Sequence, residues 1–193
     1  KANGLDKNTI VIYTSDQGMY LGEHNFFDKR FMYEESFKTP FIVRYPKLIK
    51  PGKHDSTMVM LLDVAPTVMQ LAGLPVPKDM QGQSLIPVFK TDAKDFRDEV
   101  FYHYYEYPNE HNALPHFGIR TKRYVLIRFY KPVLNEKDKL VNQGSLLIDK
   151  YNQKDYWELY DLQNDPHEMH NIYTENENTP LVKKLKEDMT HLI

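Results

Sequence analysis

The sequence predicts an α/β fold in two parts: a sheet-and-helix layer over residues 1–95, then a smaller α+β region over residues 96–193. Short β-branched apolar runs alternate with a stretch of helical spacing in the first half. Aromatic, β-rich runs follow one another in the second half, which predicts a small antiparallel sheet. An amphipathic stretch closes the chain as a helix.

Each element has its own signal. "TIVIY", ending at Tyr13, is a nearly continuous apolar run, which predicts a strand buried on both faces, as in a parallel sheet covered by helices. "TPFIVRYP" is a second such run, closed by Pro46. From Leu61 to Ala72 apolar residues recur at helical spacing, and Gly73 and Pro75 end it. Asp63 is the predicted N-cap, with Pro66 near the first turn. "GQSLIPVFK" predicts a short helix, and the charged "KTDAKDFRDE" reads as a linker, which puts a boundary near residue 95. "EVFYHYYEY", "HFGIRTKRYVLIRFY", "GSLLIDKY" and "YWELYDLQNDP" supply the strands of the second half. In the last helix Pro180 stands near the start, and Leu181, Val182, Leu185, Met189 and Leu192 share one face.

Composition narrows the classes of function. With 193 residues, 41% of them apolar, the chain can bury a core. Its 25 basic and 27 acidic residues give a formal charge of -2, so there is no electrostatic case for nucleic acid or an anionic membrane. The absence of Cys excludes a disulfide framework and thiol catalysis within these residues. No apolar run approaches the roughly 20 residues of a membrane span. The start, "KANGLDKNTIVIY", lacks a signal-peptide pattern and reads as the interior of a longer protein, so a fragment without its N-terminal part is expected.

The stretch after the first strand is dense in polar groups. Ligands bind beyond the carboxyl ends of strands in open α/β sheets, where Asp16 and Gln17 stand. A carboxylate beside an amide oxygen suits a hard cation such as Ca²⁺. Lys29 would supply fixed positive charge for an anionic substrate. Gly18 and Gly22 let the chain turn tightly around such a site. Taken alone, "SDQG" after a strand is more often an ordinary turn, and His24 and Lys29 would be solvated surface residues.

The whole phrase changes that balance. "IVIYTSDQGMYLGEHNFFDKRFMYEESFKTPFIVRYP" resembles the downstream signature of the type I, formylglycine-dependent sulfatases of the alkaline-phosphatase-like superfamily. "LLDVAPTVMQLAGLPVPKDMQGQSLIPVF" and "ELYDLQNDPHEMHNI" extend the resemblance over nearly the whole chain. It implies the C-terminal part of an alkaline-phosphatase-like α/β/α sandwich, followed by a small α+β subdomain with an antiparallel sheet and a C-terminal helix. It implies that Asp16 and Gln17 are two of the Ca²⁺ ligands, Gln17 standing where many members have Asn or His. Lys29 matches the lysine that contacts the sulfate ester and its leaving oxygen. His24, in the Gly-Glu-His turn, is the second catalytic candidate. The family's nucleophile is a formylglycine made from a Cys/Ser-x-Pro-x-Arg motif, which this chain lacks, and the other Asp ligands come from an N-terminal strand. Alone, the chain is therefore expected neither to hydrolyse sulfate esters nor to hold Ca²⁺ tightly.

"FYHYYEYPNEHNALPHFGIRTKRYVLIRFY" bears on the substrate. Aromatics, amides and imidazoles stack on and hydrogen-bond to sugars, although many of these tyrosines are equally ordinary sheet core. The phrase resembles glycosaminoglycan sulfatases of the N-acetylglucosamine-6-sulfatase type, which makes Asn109, His111 and His116 the candidates for glucosamine recognition. The family commonly has Lys where Val125 stands. His103, His111 and His116 also raise a transition-metal site, disfavoured by their spacing and the lack of Cys. Two other readings stay open: a phosphoesterase or phosphonate hydrolase of the same superfamily, distinguished by Zn²⁺ or Mn²⁺ preference, and a non-catalytic carbohydrate-binding remnant. The family places such enzymes in the periplasm, at the cell surface or in the lysosome, with sulfated carbohydrate and the missing N-terminal part as partners.

Overall fold

The computed structural model describes residues 2–91, 93, 96–107, 113–130 and 156–193. They form two compact units: Lys1–Gln17 with Thr39–Asp98, and Gly18–Lys38 with Glu99–Ile193. The polar segment that follows the first strand thus belongs to the second unit, although it interrupts the first in sequence.

In the first unit β1 (Val11–Thr14) pairs with β2 (Phe41–Arg44), with Val11 opposite Arg44 and Thr14 opposite Phe41. The pairing is antiparallel, which corrects the parallel arrangement expected from the apolar runs. Such runs mark what a strand can bury, but carry no information about its direction. Burial is one-sided as well. Phe41 and Val43 pack against Leu85, Val88 and Phe89. On the other face Val11, Tyr13 and Ile42 are 48%, 61% and 62% exposed. Helix α2 spans Val64–Leu71 and α3 spans Ile86–Lys90, which carries the buried Val88 and Phe89.

Asp63 precedes α2 as expected, but its carboxylate does not cap that helix. It is fully buried and accepts from the Met60 amide at 2.7 Å, the Gln83 amide at 2.8 Å, and both Arg97 terminal nitrogens at 2.6 and 2.9 Å. A bidentate guanidinium outweighs a single helix amide as partner for an enclosed charge, so the side chain turns away from α2.

The second unit is a four-stranded antiparallel meander in chain order: β3 (Glu99–Tyr104), β4 (His116–Thr121), β5 (Tyr124–Phe129) and β6 (Tyr156–Asp161). The predicted strand "GSLLIDKY" lies outside the described residues. The register sets Tyr102, Gly118, Ile127 and Glu158 in a row across the sheet. Because side chains alternate along a strand, the sheet has two different faces. On one, Tyr104, Val125, Ile127, Phe129 and Tyr160 meet Tyr20, Phe31, Met32 and Tyr33 of the 18–38 segment. On the other, Ile119, Leu126 and Leu159 meet Tyr173 of α4 (Tyr173–Asn176) and Val182, Leu185 and Met189 of α5 (Pro180–His191). Of the predicted α5 face, Leu181 is half-buried and Leu192, past the helix end, is 39% exposed. Val125 is core, 1% exposed, where the family commonly has Lys. A Cβ at Gly118 would come within 2.6 Å of the Met32 sulfur, so glycine there lets the segment lie directly on the sheet. No described helix is long and apolar enough to cross a membrane.

Candidate functional site

Asp16 and Gln17 lie just beyond β1, in the first unit. Asp16 is exposed and accepts from the Ser15 hydroxyl at 3.1 Å and from Gln17 Nε2 at 2.9 Å. The structure thus holds a carboxylate and an amide side by side. That donor set fits part of the oxygen shell of a hard cation, and two side chains alone fall short of the six to eight ligands Ca²⁺ takes.

Lys29 stands on a backbone fixed by its neighbours. Four successive carbonyls each accept a hydrogen bond: Asp28 from the Tyr20 amide at 2.8 Å, Lys29 from the Ser36 hydroxyl at 2.6 Å, Arg30 from the Tyr102 hydroxyl at 2.8 Å, and Phe31 from the Tyr20 hydroxyl at 2.7 Å. Arg30 also pairs with Asp28. The Lys29 side chain is exposed, and its ammonium meets no carboxylate among the described residues. A cation on a rigid base with its charge uncommitted is arranged to meet an anion without reorganising.

The turn before it is tight. His24 and Asn25 both have positive φ, 53° and 61°, a conformation that His and Asn adopt more readily than most residues. The His24 ring stacks on Tyr33 at 4.4 Å, and its Nε2 lies 3.3 Å from Glu35 Oε2, with 10% of the side chain exposed. These contacts fix the orientation of the His24 ring. The turn is followed by α1 (Glu34–Phe37). The Gly18 amide donates to the Ser36 carbonyl at 2.7 Å, and a Cβ on Gly18 would run into the Glu35 carbonyl oxygen.

Two carboxylates in this region were not singled out from the sequence. Glu34 receives Arg120 Nε at 3.0 Å and Nη2 at 3.2 Å, and Lys38 Nζ at 2.7 Å. Burial opposes its charge, but the hydrogen bonds from Arg120 and Lys38 win and hold it below the usual glutamate range. Glu168, 1% exposed with φ 52°, accepts from the Glu34 amide at 2.7 Å through one oxygen. Burial foremost, and then the Glu34 and Glu35 charges, push it up to about 8. The only sequence signal for Glu168 was its place in the family-like phrase "ELYDLQNDPHEMHNI".

The sugar candidates fare unequally. Asn109 and His111 lie outside the described residues. His116 is wholly enclosed: Nδ1 donates to the Leu114 carbonyl at 2.7 Å, and the ring stacks on Phe31 at 5.6 Å. Burial holds it neutral, lowered to about 4. An imidazole with no exposed surface supports the seat of the segment and does not touch a sugar directly, which corrects its expected role. His103 and His116 occupy opposite faces of adjacent strands, since His103 pairs with Phe117 and Tyr104 with His116. They cannot ligate one ion together.

Comparison with known proteins shows the class: the chain is the C-terminal portion of a sulfatase-family protein. The chain belongs to the family described as N-sulphoglucosamine sulphohydrolase, C-terminal, whose model matches residues 22–141 and 136–193. It is 47% identical over 98% of its length to an N-acetylglucosamine-6-O-sulfatase of Bacteroides thetaiotaomicron, of which it covers 30%. A protein solved in complex with its substrate D-glucosamine-2-N,6-O-disulfate superposes with a TM-score of 0.82 at 44% identity, over 98% of this chain and 35% of that one. A phosphonate monoester hydrolase of Agrobacterium radiobacter, at 20% identity and TM-score 0.75 over 99% of this chain and 36% of that one, shares the α/β fold. The chain spans about a third of the length of the curated relatives it matches.

Proposed function

We propose that this chain is the C-terminal part of a sulfuric ester hydrolase acting on glycosaminoglycan-type sugars, with 6-O-sulfated N-acetylglucosamine the favoured substrate. The observation that carries this is Lys29: an exposed ammonium on a backbone whose carbonyls 28–31 are all fixed. Likeness to the Bacteroides enzyme and to the disulfated-glucosamine complex supports the choice of sugar.

Within that enzyme Lys29 holds positive charge where the leaving oxygen becomes negative, a contribution concentrated in the transition state. His24 keeps the turn before it in place. Asp16 and Gln17 contribute two oxygens to a Ca²⁺ site completed by residues outside this chain. When bound, Ca²⁺ supplies positive charge to the sulfate group, and a formylglycine outside this chain supplies the nucleophile. Asn109 and His111 read the sugar. The exposed apolar face of Val11, Tyr13 and Ile42 docks against the N-terminal part of the same enzyme. Periplasm, cell surface or lysosome is the compartment that fits such a substrate.

The test is turnover of 6-O-sulfated N-acetylglucosamine by the intact protein, with and without Ca²⁺. Lys29→Ala is expected to lower kcat about 10²–10³-fold with little change in KM, as for loss of a transition-state charge contact. Hydrolysis of phosphonate monoesters with Zn²⁺ or Mn²⁺ and no sulfate release would point to the phosphonate hydrolases that share the fold. Tight sugar binding by the isolated chain with no turnover by the intact protein would leave a carbohydrate-binding module.

A further inference from the structure

Three groups converge within the second unit: the part-buried His24 from the turn and Glu35 from α1, and the buried Glu168 from the turn after β6. One polar atom of each lies within 4.8 Å of the others. His24 Nε2, Glu35 Oε2 and Glu168 Oε1 are buried and complete no hydrogen bond as placed, although His24 and Glu35 approach to 3.3 Å. Two ionised carboxylates held this close in a protein interior would be like charges without compensation, an arrangement that burial penalises. One proton shared within the cluster removes that cost. We propose that Glu168 is a positioning residue: protonated, it shares its hydrogen with Glu35 and His24 and so latches the segment bearing Lys29 onto the sheet. The role assigned to Lys29 rests on the function proposed above; the latch itself does not.

The surroundings point to Glu168 as the group that holds the proton. Glu34, next to it, is already neutralised by Arg120 and Lys38. Tyr20 and Tyr33 close the cluster, and burial pushes both phenols up, so neither supplies charge. Arg120 is committed to Glu34, and Asp165, on Glu168's own turn, binds the His170 amide at 2.8 Å. Burial in this setting is what raises Glu168 to about 8. The backbone at Glu168 is strained: φ is 52°, a left-handed conformation that a non-glycine residue adopts at a cost. The mechanical link to Lys29 is short. Glu168 Oε2 takes the Glu34 amide at 2.7 Å, α1 continues to Ser36, and the Ser36 hydroxyl holds the Lys29 carbonyl at 2.6 Å.

The sign of the pH effect follows. The unfolded or opened glutamate titrates near 4.5 and the latched one near 8, so the latch is fully effective below about 4.5 and is weakened progressively as pH rises to about 8. Hydrogen–deuterium exchange of the intact protein, corrected for intrinsic rates, reads this directly in peptides covering residues 18–38. Between pH 7 and pH 9 opening of these peptides is expected to rise about tenfold in the wild type. In Glu168→Gln, which keeps a neutral donor at every pH, the rise should vanish. Glu168→Ala should exchange fast throughout if it folds. On 6-O-sulfated N-acetylglucosamine, the alkaline fall of kcat near pH 8 should flatten in Glu168→Gln with KM nearly unchanged. Equal exchange profiles in wild type and Glu168→Gln would overturn the latch. So would one equivalent of a divalent ion that copurifies with the wild type and is lost from Glu168→Gln. Absence of sulfatase turnover would remove the function proposed above and leave the exchange result to decide the latch.

Discussion

At Glu34 and Glu168 burial raises both carboxyls, but Glu34 ends below its ordinary range and Glu168 above it, because Arg120 and Lys38 hydrogen-bond to Glu34. Glu34, held low, contributes stability that is present above the ordinary glutamate range and is lost as pH falls through its folded value. Arg120→Ala should remove much of that acid-side dependence and destabilise the second unit by about 3 kcal/mol at neutral pH, measured by urea unfolding at pH 7 and pH 4. Arg97→Ala is the matching test in the first unit, where it strands the fully buried Asp63; a loss of about 3–5 kcal/mol is expected. Lys29 and the Asp16–Gln17 pair could be singled out because one local phrase carries all three. Glu168 could not, since its partner Glu34 is 134 positions away and nothing in either neighbourhood marks the contact. His116 misled for a related reason: an imidazole in an aromatic run looks the same whether it faces sugar or core.

The elements with a clean period were readable in advance. Val182, Leu185 and Met189 of the α5 stripe are buried, as their spacing says, and so are Val125, Ile127 and Phe129 of β5. Leu185→Ala should accordingly cost about 2–5 kcal/mol in thermal or denaturant unfolding. Thr179, whose hydroxyl accepts from the Val182 amide at 3.4 Å, should cost about 1 kcal/mol when changed to Ala. What periodicity could not supply was strand direction in the β1–β2 pair or the destination of residues 18–38. That segment has no helical or strand period of its own. It is shaped by the sheet face that receives it, through Met32 over Gly118, the Tyr33 hydroxyl on Glu158 at 2.8 Å and the Glu34–Arg120 pair.

At the scale of the chain, the outer face of β1–β2 leaves Val11, Tyr13 and Ile42 in water. Each such side chain forgoes roughly 1.5–3 kcal/mol of burial. The isolated chain should therefore self-associate, and the double variant Tyr13→Lys with Ile42→Lys should shift it toward monomer in size-exclusion chromatography. The detour of residues 18–38 into the second unit has a further consequence, in time. Tyr20, Phe31, Met32 and Tyr33 leave the ribosome long before the strands that cover them, and Glu168 follows Glu34 by 134 residues. At synthesis rates of about 5–20 residues per second, Glu34 waits on the order of 7–27 s for Glu168, and the sheet that covers these side chains is completed only shortly before. The piece of chain that carries Lys29 is thus born early and finished late.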